Sequence, residues 1–387
     1  MRYAELTGRI GGEGADAWVT HSAAVAALAR GEDVIVLSIG DPDLETPGPV
    51  VDRAVERLRG GDTHYTPSAG RERLRSAIAA SHQARTGQRV DHDNIVVVAG
   101  AQNGLFSAAL CLGGPGDEII TFDPYYTTYP ATLEVSGARL IRVPQPEARG
   151  FRPDLAALAA AITPRTRAIV VATPNNPSGV VLDRTELAAI GGLMVRHDLW
   201  LVVDEVYAGL APDGRVPGLA AELPERVVTV SSLSKSHAMT GWRLGWVVGP
   251  KEFARHAEHL TMCMLFGLPG FIQDAAETAL SVSDETEQRI RDYCATRREL
   301  LLELLSGVPG LKPYAPDVGM FMLVDVTGTG RDGRRFTEEL YAHERVSVVA
   351  GGAFGRETES CVRVCFAAAE EQLTEGARRI ARFCRRR

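Results

Sequence analysis

The stretch RVVTVSSLSKSHAMTGWRLGWVVG, Arg226–Gly249, has two runs of β-branched and apolar residues on either side of a polar loop. Such runs are typical of strands that are buried on both faces of a sheet. The loop carries Lys235, one of three lysines in a chain with 42 lysines and arginines. The stretch therefore predicts strand, loop and strand, with an amine where the first strand ends.

Similar runs recur between helix-like segments over about residues 50–285, which predicts an α/β domain around a mostly parallel, seven-stranded sheet. After residue 285 a long polar and apolar helix pattern leads into further strands, which predicts a smaller α+β domain. We expect three segments: 1–48 as part of the small domain, 49–285 as the large domain, and 286–387 as the rest of the small domain. The runs in the large domain are NIVVVAG, DEIITF, RLIRVP, RAIVVAT, LWLVVDE, RVVTVSS and RLGWVVG.

Composition excludes several classes of protein. A net charge of −7 gives no electrostatic reason to bind nucleic acid, and no uninterrupted apolar run of membrane-spanning length occurs. The N-terminus lacks the apolar core of a signal peptide, so we expect a cytoplasmic protein. The six cysteines are scattered and form no CxxC pair, so we expect no metal site.

Lys235 has neighbours that suit a phosphorylated ligand. A lysine can lose its proton and form a Schiff base, whereas arginine stays protonated. Ser232, Ser234 and Arg243 offer hydroxyl and guanidinium donors to a phosphate. Schiff-base chemistry beside a phosphate clamp indicates pyridoxal 5'-phosphate (PLP), although this segment alone also fits a surface lysine in a glycine-containing turn.

Three other segments supply what PLP requires. Asp204 ends the run LWLVVDE and suits the protonated pyridine nitrogen, with a helix N-cap as the alternative. Tyr207 and Asn176 suit the phenolate oxygen, although the NNPSG motif around Asn176 is also an ordinary turn signal. A predicted helix begins after a strand in VVVAGAQNG, where backbone N–H groups would face an anion. Those N–H groups belong to Gly100, Ala101 and Gln102.

With these motifs in order, the chain resembles the class I and II aminotransferases, which are fold type I PLP-dependent enzymes. The resemblance covers nearly the whole length. It rests on the ordered motifs HYTPSAG, GAQ, PYY, NNPSG, DEVY, SLSK, GWRLGW and VRVCFA.

The resemblance implies roles for individual residues. Lys235 binds the cofactor and shuttles the proton. Asp204 contacts the pyridine nitrogen, and Asn176 and Tyr207 contact the phenolate oxygen. The residues that bind the phosphate are Ala101, Gln102, Ser232 and Arg243. Tyr126 stacks on the ring, Arg363 binds the substrate carboxylate, and Gly40 passes over the substrate. Tyr65 reaches the phosphate of the neighbouring subunit, which implies a homodimer with shared active sites.

The implied activity is ping-pong transfer of an amino group between an L-amino acid and a 2-oxo acid. Within the family the chain is similar to arginine:pyruvate transaminases, which favours a guanidino amino acid such as arginine or a cyclic arginine derivative, in amino acid or secondary metabolism. If the N-terminal segment covers the site, Glu13, Asp16 and Trp18 could supply carboxylates and an aromatic face to the guanidinium group, with an ordinary solvated helix cap as the alternative. The alternatives are a transaminase for alanine, aspartate or aromatic amino acids, a PLP-dependent carbon–sulfur lyase or oxidase, and a non-catalytic PLP-sensing regulator.

Overall fold

The structure is a computed structural model that describes residues 2–10 and 16–386. Its strands are β1 (Ile35–Val36), β2 (Ile95–Val98), β3 (Glu118–Asp123), β4 (Arg139–Pro144), β5 (Thr166–Ala172), β6 (Trp200–Asp204), β7 (Val227–Ser232), β8 (Gly245–Val248), β9 (Lys312–Tyr314), β10 (Phe321–Asp325), β11 (Val346–Ser347), β12 (Val349–Ala350) and β13 (Cys361–Cys365).

The helices precede, separate and follow these strands. They are α1 (Glu5–Ile10), α2 (Val19–Ala29), α3 (Gly48–Arg59), α4 (Glu72–Thr86), α5 (Ala101–Leu112), α6 (Tyr129–Leu133), α7 (Leu155–Ala161), α8 (Arg184–His197), α9 (Lys251–Met264), α10 (Gly270–Ser281), α11 (Ser283–Leu305), α12 (Gly333–Glu344) and α13 (Glu370–Cys384).

The main sheet has seven strands in the order β2-β8-β7-β6-β5-β3-β4. β8 runs antiparallel to both its neighbours, while the other pairs are parallel. Every residue of β2, β3 and β8 is buried, as expected for strands covered by helices on both faces. The predicted fold class, α/β with a mostly parallel seven-stranded sheet, is confirmed.

Two apolar layers close the faces of this sheet. On one face, side chains of α5, α6 and α9 pack with Val202, Val228 and Val247. On the other face, side chains of α7 and α8 pack with Ile169 and Val203. Because successive residues of a strand point to opposite faces, each strand contributes side chains to both layers.

The parallel strands β5, β6 and β7 end side by side. Ala172 pairs with Asp204, and Asp204 pairs with Val230, two residues before the end of β7. The carboxyl ends of parallel strands form the edge at which open α/β sheets bind ligands. This register brings Asp204 close to the loop that carries Lys235.

A second sheet of four antiparallel strands, β12-β13-β10-β9, lies in the C-terminal part of the chain. β1, near the N-terminus, pairs in parallel with β11, so the two ends of the chain are joined. The division at residues 48 and 285 stays a prediction, which this pairing supports. Among residues 2–10 and 16–386, no helix is both long and apolar enough to cross a bilayer.

Candidate active site

A cavity of about 400 Å³ lies at the carboxyl edge of the main sheet. Most of the predicted site residues line it: Gly40, Ala101, Gln102, Tyr126, Asn176, Asp204, Tyr207, Ser232, Ser234, Lys235, Arg243 and Arg363. They come from seven separate segments of sequence, which the sheet register and the N-terminal segment bring together.

Asp204, the last residue of β6, is buried against this cavity. Its Oδ2 accepts a hydrogen bond from the Tyr129 hydroxyl at 2.7 Å, and its Oδ1 accepts one from the Val206 N–H at 3.1 Å. Burial raises the pKa of the Asp204 carboxyl, while the two donors act in the opposite direction. The carboxylate is thus held in one orientation, and a cationic ligand would stabilise its charge.

Lys235 lies three residues after the end of β7. Its amine donates a hydrogen bond to the carbonyl oxygen of Gly40. Burial lowers the pKa of the Lys235 amine, so the neutral, nucleophilic form is more accessible than in a surface lysine.

Helix α5 begins at the same edge, with its N-terminus towards the cavity. Gly100 precedes it with a φ of 80°, and a Cβ there would lie 2.5 Å from a terminal nitrogen of Arg243. Arg243 itself adopts the left-handed conformation, with a φ of 52°. The helix N-terminus, the guanidinium and the hydroxyls of Ser232 and Ser234 therefore form a set of donors that suits a phosphate.

The side chain of Gln102 is engaged elsewhere. Its amide nitrogen donates to the Thr132 hydroxyl, and its amide oxygen accepts from Thr128 at 2.8 Å. A Gln102 contribution to the anion site would therefore come from its backbone N–H, as the motif GAQ predicts.

Arg363 is almost wholly buried, with 1% of its surface exposed. Its guanidinium donates to Asn176 Oδ1 at 2.9 Å and to the Ser38 carbonyl at 2.7 Å, and it lies over the Phe321 ring at 3.9 Å. No described carboxylate lies within salt-bridge distance, and Nε has no hydrogen-bond partner among the described residues. A buried cation without a counter-ion is costly, so this geometry calls for an anionic ligand.

Asn176 links Arg363 to the tyrosines. Its amide nitrogen donates to the Tyr207 hydroxyl at 3.4 Å. Burial raises the pKa values of Tyr207 and Tyr126, which keeps both hydroxyls protonated and able to donate.

The remaining predicted residues, Tyr65 and those of the N-terminal segment, do not all lie at the cavity. Tyr65 does not line the cavity: its surface is 85% exposed and its ring packs against Phe266. Of the residues expected to bind a guanidinium, Trp18 lines the cavity, Glu13 lies outside the described residues, and the side chain of Asp16 is likewise not described.

The sequence reasoning missed Tyr129, Asp41 and Phe321, all of which line the cavity. Tyr129 stands in DPYYTTYP, three residues after the predicted Tyr126, so the aromatic cluster was the available signal. Phe321 reads as an ordinary strand residue, and Asp41 as a residue of a polar turn. Neither pattern indicates a position in the site.

The chain matches the family model for aminotransferase classes I and II over residues 32–380. It is 46% identical to the arginine–pyruvate transaminase AruH of Pseudomonas aeruginosa over 98% of each chain. The chain belongs to the class I and II aminotransferases. The aminotransferase is also 34% identical to an aspartate aminotransferase of Pyrococcus horikoshii, over 90% of each chain.

Solved structures agree with this assignment. The aminotransferase superposes on the aspartate aminotransferase of Thermus thermophilus with maleate with a TM-score of 0.93, at 33% identity, covering 99% of this chain and 100% of the other. It is a PLP-dependent enzyme, as predicted. The donor set fits PLP: an amine of lowered pKa, a buried carboxylate, and a helix N-terminus beside serines and an arginine.

Proposed function

We propose that this aminotransferase moves the amino group of a guanidino amino acid, such as arginine or a cyclic arginine derivative, to a 2-oxo acid such as pyruvate. One observation carries the proposal: the chain is 46% identical to an arginine–pyruvate transaminase over 98% of both chains, against 34% to an aspartate aminotransferase. The gap in identity favours the first substrate class.

The residues that would hold PLP are those of the cavity. Arg243, Ser232, Ser234 and the N–H groups of Ala101 and Gln102 would bind the phosphate. The Gly100 N–H, also predicted for this role, instead donates to the Val98 carbonyl at 2.8 Å. Asp204 offers its carboxylate to the pyridine nitrogen, Asn176 and Tyr207 donate to the phenolate oxygen, and Tyr126 stacks on the ring. The contacts of Asp204 and the conformation of Arg243 support these assignments.

PLP, when bound, supplies the electron sink that makes the substrate Cα–H bond acidic. Arg363 binds the substrate carboxylate through its planar fork and so fixes the direction of that bond. The Lys235 amine takes the proton from Cα and returns it, for which its lowered pKa is suited. Gly40 allows its segment to pack closely against the Phe321 ring of the cavity, since a Cβ there would lie 2.4 Å from that ring.

We further propose a cytoplasmic homodimer in which Tyr65 binds the phosphate in the partner's site. The exposure of this aromatic side chain, together with that of Phe266 beside it, supports an interface at this surface.

The test follows the visible absorbance of the PLP-loaded enzyme after mixing with single amino acids. The absorbance should be lost faster with arginine than with alanine, glutamate or aspartate. In Lys235→Ala the rate of this loss with arginine should fall at least about a thousandfold, because the amine that moves the proton is gone. The products should be a 2-oxo acid and the aminated cofactor, without free ammonia.

Two results would separate the claims. Conversion by aspartate or alanine but not arginine would refute the guanidino substrate and leave the family intact. Release of ammonia without the aminated cofactor would instead indicate a lyase or oxidase.

A further inference from the structure

Part of the cavity lining is not used by the groups assigned to the cofactor and the substrate carboxylate. It consists of Trp18, Ile39, Asp41 and Thr240, and the Thr240 carbonyl accepts a hydrogen bond from Arg243 at 2.8 Å. Asp41 follows Gly40, whose carbonyl accepts the Lys235 hydrogen bond, so the Asp41 backbone begins beside the reacting amine. A substrate held by Arg363 and Lys235 would extend its side chain towards these residues.

The charge of Asp41 sets it apart from most of the cavity lining. Lys235, Arg243 and Arg363 give the lining an excess of positive charge, and Asp204 and Asp41 are the lining carboxylates among the described residues. Both oxygens of Asp204 accept hydrogen bonds from Tyr129 and Val206. Asp204 is also buried, so it is not open to a substrate side chain.

Asp41, by contrast, is exposed and only partly engaged. Its Oδ1 accepts a hydrogen bond from the Thr240 hydroxyl at 2.6 Å, which orients the carboxylate, and no described residue donates to its Oδ2. A carboxylate held on one oxygen and free on the other suits a guanidinium, which presents its donors in a planar fork.

Trp18 supplies a flat surface in the same cavity. Its ring packs edge-on against His21, with centroids 5.5 Å apart and planes at 77°, and the His21 ring is hydrogen-bonded to the Ser38 hydroxyl at 2.8 Å. The carbonyl of Ser38 accepts from Arg363, so the indole is tied to the residue that binds the substrate carboxylate. Guanidinium groups stack on aromatic faces of this kind.

We propose that Asp41 and Trp18 bind the guanidinium group of the substrate, Asp41 through its free carboxylate oxygen and Trp18 by stacking. The proposal rests on the guanidino substrate proposed above and names the residues that recognise its side chain. Pyruvate carries only a methyl group beyond its carbonyl and does not reach these residues. The same cavity therefore has room for a donor with a long cationic side chain and for an acceptor with a short apolar one.

The kinetic test compares arginine with citrulline, its neutral isostere, in the wild type and in Asp41→Asn. Asparagine keeps an oxygen for Thr240 but removes the charge. The wild type should prefer arginine, and the ratio of kcat/KM for arginine over citrulline should fall roughly ten- to a hundredfold in Asp41→Asn, the range for one charge-assisted hydrogen bond. Asp52→Asn, an exposed carboxylate on α3 outside the cavity, controls for the change in net charge.

A binding test avoids turnover. The PLP-loaded enzyme is titrated by calorimetry with 5-guanidinopentanoate, which lacks the α-amine, and with its neutral counterpart 5-ureidopentanoate. Asp41→Asn should weaken the guanidino compound roughly ten- to a hundredfold and the ureido compound by much less, while Asp52→Asn leaves their ratio as in the wild type.

Three outcomes overturn the proposal. In the first, the wild type has the same kcat/KM for arginine and citrulline. In the second, Asp41→Asn lowers kcat/KM equally for arginine, citrulline and alanine, and in the third the affinity for 5-guanidinopentanoate is unchanged in Asp41→Asn. The equal loss would mean that Asp41 acts only through the charge of Lys235. If arginine is not converted while aspartate is, the proposed function fails by itself, and the calorimetric ratio still decides the role of Asp41.

Discussion

The Tyr129 hydroxyl and the Val206 N–H are the two donors that hold the Asp204 carboxylate in its buried position. Such donors to a charged group are worth roughly 1.5–3 kcal/mol each, more than a hydrogen bond between neutral groups. They oppose the burial that raises the Asp204 pKa. Tyr129 is therefore a positioning residue, which favours the ionised form of Asp204 and fixes the orientation of its carboxylate.

We predict that Tyr129→Phe moves the acid limb of the pH profile of kcat/KM to higher pH. The hydroxyl lowers the Asp204 pKa, so its removal raises that pKa, and the carboxylate is then protonated over a wider range of acid pH. A loss of 1.5–3 kcal/mol corresponds to a shift of roughly one to two pH units. Rates of the amino acid half-reaction between about pH 5 and 9 measure this shift.

A purely structural role for Tyr129 would lower the rate equally at every pH. An unchanged acid limb in Tyr129→Phe would therefore contradict the prediction, whatever the loss of activity.

The Tyr129 contact illustrates what the sequence predicts at the level of single residues. Asp204 and Lys235 were predictable because each follows a recognisable buried strand, and strand ends meet at one edge of the sheet. The partner of Asp204 comes from α6, a five-residue helix, and the pair is 75 positions apart in sequence. No local pattern encodes a contact across that separation, and the same holds for Asp41 and Phe321.

Among the elements, the approach of β8 to the start of α5 determines the shape of the phosphate end. A Cβ at Gly245, the first residue of β8, would lie 2.7 Å from the Gly100 carbonyl carbon and 2.8 Å from the Ala101 nitrogen. Backbone atoms cannot move aside as a flexible side chain can. Glycine at 245 therefore permits the strand to pass next to the helix N-terminus.

We predict that Gly245→Ala weakens PLP binding because the added methyl displaces the first turn of α5 and the N–H groups of Ala101 and Gln102. Overpacking of this kind costs about 1–3 kcal/mol, which corresponds to a Kd for PLP roughly five- to a hundredfold higher. Titration of the apoenzyme with PLP, followed by fluorescence quenching, measures the Kd.

Gly241→Ala is the matched control. It lies in the same loop, in the short helix Thr240–Trp242, and a Cβ there would meet nothing within 4 Å. Equal Kd values for Gly245→Ala and Gly241→Ala would show that the close approach at Gly245 does not shape the site.

The elements themselves were largely predictable. Each of the seven predicted runs of β-branched residues became a strand of the main sheet, because a strand buried on both faces has few polar positions and stands out in sequence. The antiparallel direction of β8 was not specified, since strand direction depends on the path of the Lys235 loop. The two-residue strands β1, β11 and β12 are too short for a pattern of alternation to show.

At the scale of the whole molecule, the question is whether one chain completes its own site. Twelve of the predicted site residues line the cavity, but Tyr65 is 85% exposed and packs with Phe266 at a separate surface pocket. That pocket is lined by Thr63, Tyr65, Leu265 and Phe266, among others. An exposed aromatic cluster of this kind suits an interface between two copies of the chain.

We predict that a hybrid dimer of a Lys235→Ala subunit and a Tyr65→Ala subunit has about half of the wild-type activity per dimer, because one of its two sites is intact. If Tyr65 serves the partner's site, the Lys235→Ala subunit lends a normal Tyr65 to the subunit that keeps Lys235. The opposite site then carries both defects. Co-expression with two different affinity tags and sequential purification isolate the hybrid for assay with arginine and pyruvate.

The two parent homodimers provide the reference activities. We expect Lys235→Ala to be inactive and Tyr65→Ala to lose at least about tenfold at limiting PLP, since it lacks a phosphate contact in both sites. If Tyr65 acted within its own subunit, every site in the hybrid would carry one defect, and its activity would not exceed half that of the Tyr65→Ala homodimer. The difference between these values distinguishes a shared site from two independent ones.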